Sequence, residues 1–466
     1  MLSTLRILLS NAREQRRVER MSRAEFESLK LEKFRRLVRH ASLRSPYYAR
    51  IVRESGIDVA RCVPAEFPVL TKALLLEHFD EIATAPGVTK RAIVEFLERS
   101  KDPAELFLGK YRVMHTSGSS GQVGYFVYSN KDWLRGWSRE RGVQARMQPR
   151  GPRERRRFRI AFYGATDGHY AGVSAVTAFQ RGIARLFVDA RVFEVNSPLP
   201  DVIEGLNAFR PDFLIGYTTA LKILAAKQRE GALEIALAAI AATGEATTDA
   251  DRALLEQAFG CGVMNVYAST EQLGMGTALP GSSKMVLYDR KHIFEFYDDH
   301  TIVTNLFNYT LPLIRYRMSD VLRPVDSGEH APYLVVEGLV GRNEIQPAFL
   351  NEDGVEDFVS PHTINEIFVP GVNRFQLHWQ GPTAFRFMVC LDPTLDETAG
   401  AGVRAALADR LRAILARKRM GNVRFEVVET DDLPVNPRTR KFQLIVDARG
   451  RAEPAYTETE ARAGAR

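Results

Sequence analysis

Residues Asp212-Phe213-Leu214-Ile215-Gly216-Tyr217 form the short apolar run on which the fold assignment turns. The run reads as a strand, and residues 218–230 after it read as a helix ending at Gly231. The pattern then repeats. Ile235 to Ala242 reads as a strand, residues 248–259 as a helix ending at Gly260, and residues 262–267 as a strand. Upstream, Arg159-Ile160-Ala161-Phe162-Tyr163 and Ala184 to Phe193 read as strands. Pro200 to Phe209 reads as a helix opened by Pro200-Asp201. Strands alternating with helices predict an α/β fold with a parallel, helix-covered sheet. Ligands in such sheets sit beyond the carboxyl ends of the strands. Thr243-Gly244-Glu245 and Tyr267-Ala268-Ser269-Thr270-Glu271 both fall just past strand ends.

Outward from this block the pattern changes. In residues 20–60, Phe26, Leu29, Leu31, Phe34, Leu37 and Val38 recur near helical spacing, and residues 73–80 suggest a short helix. Residues 130–148 read as helical. Past residue 280 the runs become short and β-rich, with hairpin strands at 285–296 and 301–307. A small α+β unit follows. Phe375, Leu377 and Trp379 alternate with polar residues, as do Phe385, Phe387, Val389 and Leu391. A helix over residues 401–418 then carries Val403, Leu407, Leu411, Ile414 and Leu415 on one face, and Val423 to Val428 reads as a strand. The expected division is a large domain over residues 1–343, a small domain over 344–450, and a polar, alanine-rich disordered tail over 451–466.

Thr116-Ser117-Gly118-Ser119-Ser120-Gly121-Gln122-Val123-Gly124 precedes the β-rich run Tyr125 to Ser129. Glycines spaced by three let backbone amides converge on one point, a nest suited to phosphate oxygens. Ser117, Ser119 and Ser120 add hydroxyl donors. No Gly-Lys-Ser/Thr closes the loop, so it is not a Walker A sequence. Taken by itself, a plain flexible turn is an equal reading.

At 466 residues the chain calls for two or three domains, and 45% hydrophobic with 26% charged residues is a globular composition. No apolar run is long enough to cross a membrane. The N-terminus, Met1 to Leu9 followed by Arg13, Arg16 and Arg17, reads as an amphipathic helix rather than a secretory signal. Cys62, Cys261 and Cys390 lie far apart without ligand spacing, which fits a reducing cytoplasm. The net charge of +7 is concentrated locally in Arg150 to Arg159. That run reads as a solvated loop or as a dock for an acidic partner such as a carrier protein. With one aromatic and no accompanying motif, it does not indicate nucleic acid.

The ordered series from the Gly/Ser loop through Gly244-Glu245, Tyr267–Glu271, Tyr316-Arg317-Met318-Ser319-Asp320, Gly341-Arg342-Asn343-Glu344 and Lys441 resembles the adenylate-forming superfamily. Ser45-Pro46-Tyr47-Tyr48 and Phe67-Pro68-Val69-Leu70-Thr71-Lys72 are similar to its phenylacetate–CoA ligase branch, which includes capsule-biosynthesis relatives. The resemblance spans about residues 30–447. It implies a large nucleotide- and carboxylate-binding domain and a small domain that rotates between two half-reactions.

It further implies ATP and Mg²⁺ as cofactors, with Glu271 as the metal carboxylate and Thr270 beside the phosphates. A hard cation of this kind commonly takes one carboxylate plus substrate phosphates. The alternative for Glu271 is a carboxylate that merely complements a helix start. The nucleotide would contact Thr116, Ser117, Gly118, Ser119, Ser120, Gly121, Gly244, Glu245, Asn265, Tyr267, Ala268, Ser269, Asp320 and Arg342. In that set Tyr267 faces adenine, Asp320 accepts the ribose hydroxyls, and Arg342 reaches ribose or phosphate. Tyr163, Gly164, His169 and Tyr217 would line the carboxylic-acid pocket. Lys441 would act in adenylation, and Glu344 would serve as hinge.

The expected activity is ATP-dependent activation of a carboxylic acid, leaning to an aryl acid, with transfer to a thiol, most simply CoA. An amine or a carrier-protein thiol is the alternative acceptor, a non-catalytic nucleotide-binding scaffold is the rival class, and a homodimer is left open. Gln122, Ala268, Met318-Ser319 and the stretch Gln346 to Gly354 depart from the family pattern, the last where relatives line a thiol tunnel.

Overall fold

The computed structural model describes residues 2–116, 123–138, 157–166, 168–180, 182–279, 281–282, 284–328, 332–337, 347–365, 367, 369–434 and 443–449. The described residues form two compact units, the first ending at Glu337 and the second starting at Pro347.

The first unit is built on a nine-stranded mixed sheet. Its parallel half contains β3 (Phe158–Gly164), β4 (Val188–Glu194), β5 (Phe213–Tyr217), β6 (Ala239–Thr243) and β7 (Gly262–Ser269). Its antiparallel half contains β8 (Leu273–Ala278), β9 (Met285–Leu287), β13 (Pro324–Val325) and β14 (Val335–Val336). The strand order is β13-β14-β9-β8-β7-β6-β5-β3-β4. Helices Leu199–Phe209, Thr218–Arg229 and Asp249–Phe259 form the crossovers, as the alternation predicts. Two strands start later than the sequence suggests. Residues 182–186 make a 3-10 turn before β4, with Phe187 N–H donating to the Ala184 carbonyl. β6 begins only at Ala239, because Ala238 N–H is spent on the Asp212 carbonyl at the foot of β5.

Beside this sheet, β1 (Tyr111–His115) and β2 (Tyr125–Ser129) form an antiparallel pair, and β10 (His292–Phe296), β11 (Thr301–Asn305) and β12 (Tyr316–Met318) form a three-stranded sheet. Helices α1 (Leu2–Val18), α2 (Arg23–Arg44) and α3 (Pro46–Glu54) precede them. Ser22 and Glu25 close a capping box that starts α2. One continuous core runs from Phe34, Leu37 and Val38 of α2 through Phe126 and Tyr128 of β2 to Tyr267 and Leu273 of the large sheet. A second cluster seats Val18 and Phe26 on Val286 and Val335. The helix read over residues 130–148 is described as Asn130–Gly136, and the basic run up to Arg156 lies outside the described residues. Arg159, at the end of that run, donates to the Phe209 carbonyl and stacks near the Phe209 ring.

The second unit carries β15 (Ala348–Leu350) paired with β16 (Glu356–Phe358), and a four-stranded sheet. The latter is ordered β19 (Arg424–Glu429), β18 (Ala384–Leu391), β17 (Val372–Gly381), β20 (Ile445–Asp447). Helix Glu397–Arg417 buries Leu407, Leu411, Ile414 and Leu415 on Phe375, Leu377, Phe385 and Phe387. The β-β-α-β order is the one that the alternating residues predict.

Candidate functional site

The site is assembled at the carboxyl ends of the parallel strands and at the base of the Gly/Ser loop. Ser117, Gly118, Ser119, Ser120, Gly121 and Gln122 lie outside the described residues, as do Arg342, Glu344 and Lys441. The neck of the loop is described. Thr116 N–H donates to the Gly124 carbonyl, and Gly124 N–H returns a bond to Thr116 Oγ1, both at 2.9 Å. Lys72 Nζ donates to the same hydroxyl at 3.1 Å. Gly124 is required by this packing. A Cβ there would lie 2.9 Å from the Phe126 ring and 3.1 Å from Lys72 Cε.

Lys72 reaches the neck because its segment is pinned to β12. Leu70 N–H donates to the Arg315 carbonyl, and Arg317 N–H donates to the Leu70 carbonyl. Arg315 forks onto Glu295 and donates to the Phe67 carbonyl at 2.7 Å. Thr71 then caps the helix Lys72–Glu77 by accepting from Leu74 N–H. Burial pulls the Lys72 ammonium below its ordinary pKa, and the nearby Glu271 charge offsets part of that.

Glu271 stands on the hairpin turn between β7 and β8, so the helix-start reading of this carboxylate does not apply. Leu273 closes the turn with φ 56°. The Tyr128 hydroxyl, carried on the strand after the loop, lies 2.8 and 2.7 Å from the carbonyl oxygens of Thr270 and Glu271 and donates to them. Ser269 Oγ accepts from Gln272 N–H at 3.1 Å. Burial pushes the Glu271 carboxyl up from its ordinary value. Its own backbone N–H, Lys72 and the Ser269 hydroxyl hold it down in part, and Asp320 adds to the rise.

Between Tyr267–Gly276 and Ala268–Gly274 the β7–β8 register slips by one residue, a bulge that re-aims the chain as it enters the turn. Tyr267 is buried, and its hydroxyl donates to Asp320 Oδ2 at 2.8 Å. Asn265 is buried two residues earlier on β7, and its Oδ1 has no hydrogen-bond partner among the described residues. Gly244 follows β6 in the left-handed region, φ 79°. Glu245 accepts from Thr219 N–H at 2.7 Å and from Thr219 Oγ1 at 2.8 Å, binding the start of helix Thr218–Arg229 to the β6 end.

The residues expected to line the acid pocket share this edge in part. Tyr163 is buried at the end of β3. A Cβ on Gly164 would lie 2.7 Å from the Phe162 ring and 3.2 Å from Tyr217 Cζ. The Tyr217 hydroxyl accepts from Ala165 N–H at 3.3 Å. His169 is buried against Phe96 with Nε2 3.3 Å from Ser100 Oγ, and its carbonyl accepts from His115 N–H. Burial lowers both imidazoles, His115 to about 4, so both are neutral at physiological pH.

The Tyr267–Asp320 pair acts electrostatically on Glu271, and Thr116, Thr270 and Glu271 are joined through Lys72 and Tyr128. Neither of those two was singled out for chemistry from the sequence. Lys72 stood in a segment noticed for other reasons, and Tyr128 in a run read only as a strand. Among the described residues no group of three His, Cys, Asp or Glu side chains can hold a metal. The donor set suits a hard cation taking one carboxylate, with phosphate and water oxygens for the rest.

Comparison with known proteins matches this architecture. 2-Hydroxyisobutyryl-CoA ligase in complex with 2-HIB-AMP and CoA superposes with a TM-score of 0.57 over 93% of this chain and 92% of its own, at 17% identity. The same ligase in a postadenylation state with R3-HIB-AMP gives 0.53 over 92% and 91%, again at 17% identity. Protein CapK of Staphylococcus aureus is 23% identical over 346 residues, 68% of this chain and 67% of CapK. No family model matches the chain. The chain has the fold of 2-hydroxyisobutyryl-CoA ligase, an α/β architecture of the kind the resemblance implies.

Proposed function

We propose that the chain is an ATP-dependent ligase that activates a carboxylic acid as an acyl-adenylate and passes the acyl group to a thiol, most simply CoA. The observation that carries this reading is the Thr270–Glu271 turn, held by Tyr128 from the far side of the Gly/Ser loop and facing Lys72 at the loop's neck. One carboxylate and one ammonium beside the neck of a Gly/Ser loop support a polyphosphate site there.

A substrate carboxylate oxygen attacks the α-phosphorus, and the bond to pyrophosphate breaks. Lys72 and the loop donors receive the developing negative charge, a preorganised form of stabilisation. Glu271 would hold Mg²⁺, which when bound screens the phosphate charges. Asp320, oriented by Tyr267, accepts from the ribose hydroxyls, and Arg342 reaches ribose or phosphate. A thiolate then attacks the acyl carbon and AMP leaves. Lys441 serves the first half-reaction, and Glu344 serves as hinge.

Tyr163, Tyr217 and neutral His115 and His169 offer apolar, uncharged surroundings, which favours an aryl acid. Pyrophosphate release across a panel of aryl and alkyl acids tests the first step. Mass spectrometry of mixtures with CoA, amines or a carrier protein tests the acceptor. No release with any acid would leave a nucleotide-binding scaffold as the reading. A Lys441→Ala variant that loses adenylation and transfer equally would remove Lys441 from its step-specific role.

A further inference from the structure

The outer face of α1 carries an exposed apolar patch. α1 is seated on the body by Val18, by Asn11 Nδ2 donating to the Leu134 carbonyl, and by Glu14 bonding Lys33 and Arg290. Its inward residues are 4, 7, 11, 14, 15 and 18, the three–four spacing of a docked helix. The opposite face is therefore turned to solvent. It carries Leu5, Leu8 and Leu9, exposed by 55%, 48% and 49%. These three occupy i, i+3 and i+4, so they form one patch.

Arg6, Arg13, Arg16 and Arg17 are exposed on the same helix, and no acidic residue is. Glu14, the one carboxylate of α1, is turned inward onto Lys33 and Arg290. Arg17 feels Glu25 of α2. Arg6, Arg13 and Arg16 have no ion-pair partner among the described residues. Arg13 lies one turn beyond Leu9, and Arg16 one turn beyond Arg13, so the cations border the leucine patch and continue from it.

We infer that α1 is an interfacial helix that docks this chain reversibly on an anionic lipid membrane. A leucine patch bordered by arginines, with no acid on the face, is the composition of helices that lie in the headgroup region. The leucines enter the acyl boundary while arginine stems lie along it and the guanidinium groups meet lipid phosphates. A protein partner fits less well. Protein hot spots are rich in Trp, Tyr and Arg and poor in Leu, and the large apolar side chains described on this face are all leucine. A convex helix face also suits a deformable bilayer better than a preformed groove. The inference does not depend on the ligase reading, since α1 takes no part in the site.

The test uses the full chain in flotation with vesicles of phosphatidylcholine alone and of a two-to-one mixture with phosphatidylglycerol. The expected result is co-flotation with the anionic vesicles only, weakened by added salt. Leu5→Ser/Leu9→Ser lowers the partition at least about tenfold, from the lost apolar burial. Each of Arg6→Gln, Arg13→Gln and Arg16→Gln lowers it about fivefold. These side chains are exposed, so the thermal midpoint stays at the wild-type value and confirms the fold. Absence of vesicle binding by the wild type at low salt overturns the inference, as does binding that ignores the variants. A wild-type dimer in light scattering that the leucine variants dissociate, without vesicle binding, assigns the face to a second copy and overturns it too.

Discussion

Two carboxylates, Glu14 and Glu271, face lysines in crowded surroundings, and their acidities move in opposite directions. For Glu14 burial acts to raise the carboxyl. Lys33 and Arg290, both at hydrogen-bonding distance, more than compensate and hold it below the ordinary value. For Glu271 burial is again the largest influence, Lys72 and Ser269 compensate only partly, and Asp320 works against them. The first is a finished ion pair that fastens α1 to α2 and to the turn after β9. The second is a carboxylate whose charge the fold leaves costly, which is the environment that the proposed cation-binding role calls for. Crowding alone does not tell a structural acid from a functional one. What distinguishes them is whether the protein supplies the counter-charge.

The largest test of that contrast is Glu271→Gln. Pyrophosphate release should fall by about 10²–10³ or more, the loss expected when a key electrostatic group is removed. Stability should not fall. A carboxyl raised in the folded state binds its proton more tightly there than in the unfolded chain, so its ionised form costs stability above the raised value. The thermal midpoint of Glu271→Gln should therefore equal or exceed wild type at pH 8. The advantage should shrink as pH falls through the raised value and vanish below about 4.5. Scanning calorimetry across pH reads this directly, and a lower midpoint at pH 8 would place Glu271 among the structural pairs.

Lys72→Met should lower adenylation by about 10²-fold, with the fold intact. Because burial depresses this lysine, wild-type activity should decline on the alkaline side as pH rises through the lowered value. Lys72→Arg should move that limb upward. An unchanged alkaline limb in Lys72→Arg would show that another group sets it.

Glu14→Gln is the converse experiment. It leaves buried Arg290 and Lys33 short of their anion and should cost about 2 kcal/mol, reduced from the fully buried case because Glu14 is partly exposed. Here the sign is opposite. A carboxyl held low gives its stability above the ordinary value near 4.5 and loses it as pH falls through the lowered one, so the penalty of Glu14→Gln should fade in acid. Denaturant unfolding measures it, and pyrophosphate release should stay within about twofold of wild type, since Glu14 is outside the proposed machinery. Gly124→Ala should have the smallest effect, about tenfold on adenylation with little change in unfolding free energy. The added Cβ presses on Lys72 Cε and the Phe126 ring, and displacement well under an ångström is enough to degrade catalytic positioning. Wild-type activity in this variant would mean that Lys72 needs no fixed position.

Much of the fold was legible because its signals are local. The alternation from Arg159 to Tyr267 gave the parallel strands β3 to β7, and the glycines at 231 and 260 marked helix ends. The boundary misses, at β4 and β6, fall where a backbone donor is claimed by a distant or turning carbonyl. The hairpin turn carrying Glu271 was not legible. Its outcome depends on Tyr128, more than 140 residues away in sequence, taking the Thr270 and Glu271 carbonyls. The Glu245 carboxylate, expected from the sequence on the nucleotide side, also accepts from Thr219, a contact that no spacing rule would suggest.

The sequence by itself determined the α/β class, the strand edge at which to look, and the residue types able to handle a phosphate, because periodicity, turn glycines and motif order are properties of neighbours along the chain. Only the tertiary structure decided which of those groups meet. Lys72, Thr116 and Gly124 come together through β12 and the closing of a hairpin. Tyr267 and Asp320 come together across 53 residues. Whether a carboxylate such as Glu14 or Glu271 is held low or pushed high follows from burial and from the cations that other segments deliver. Desolvation and Coulomb energy depend on distance in space, and the chain's order does not contain that distance.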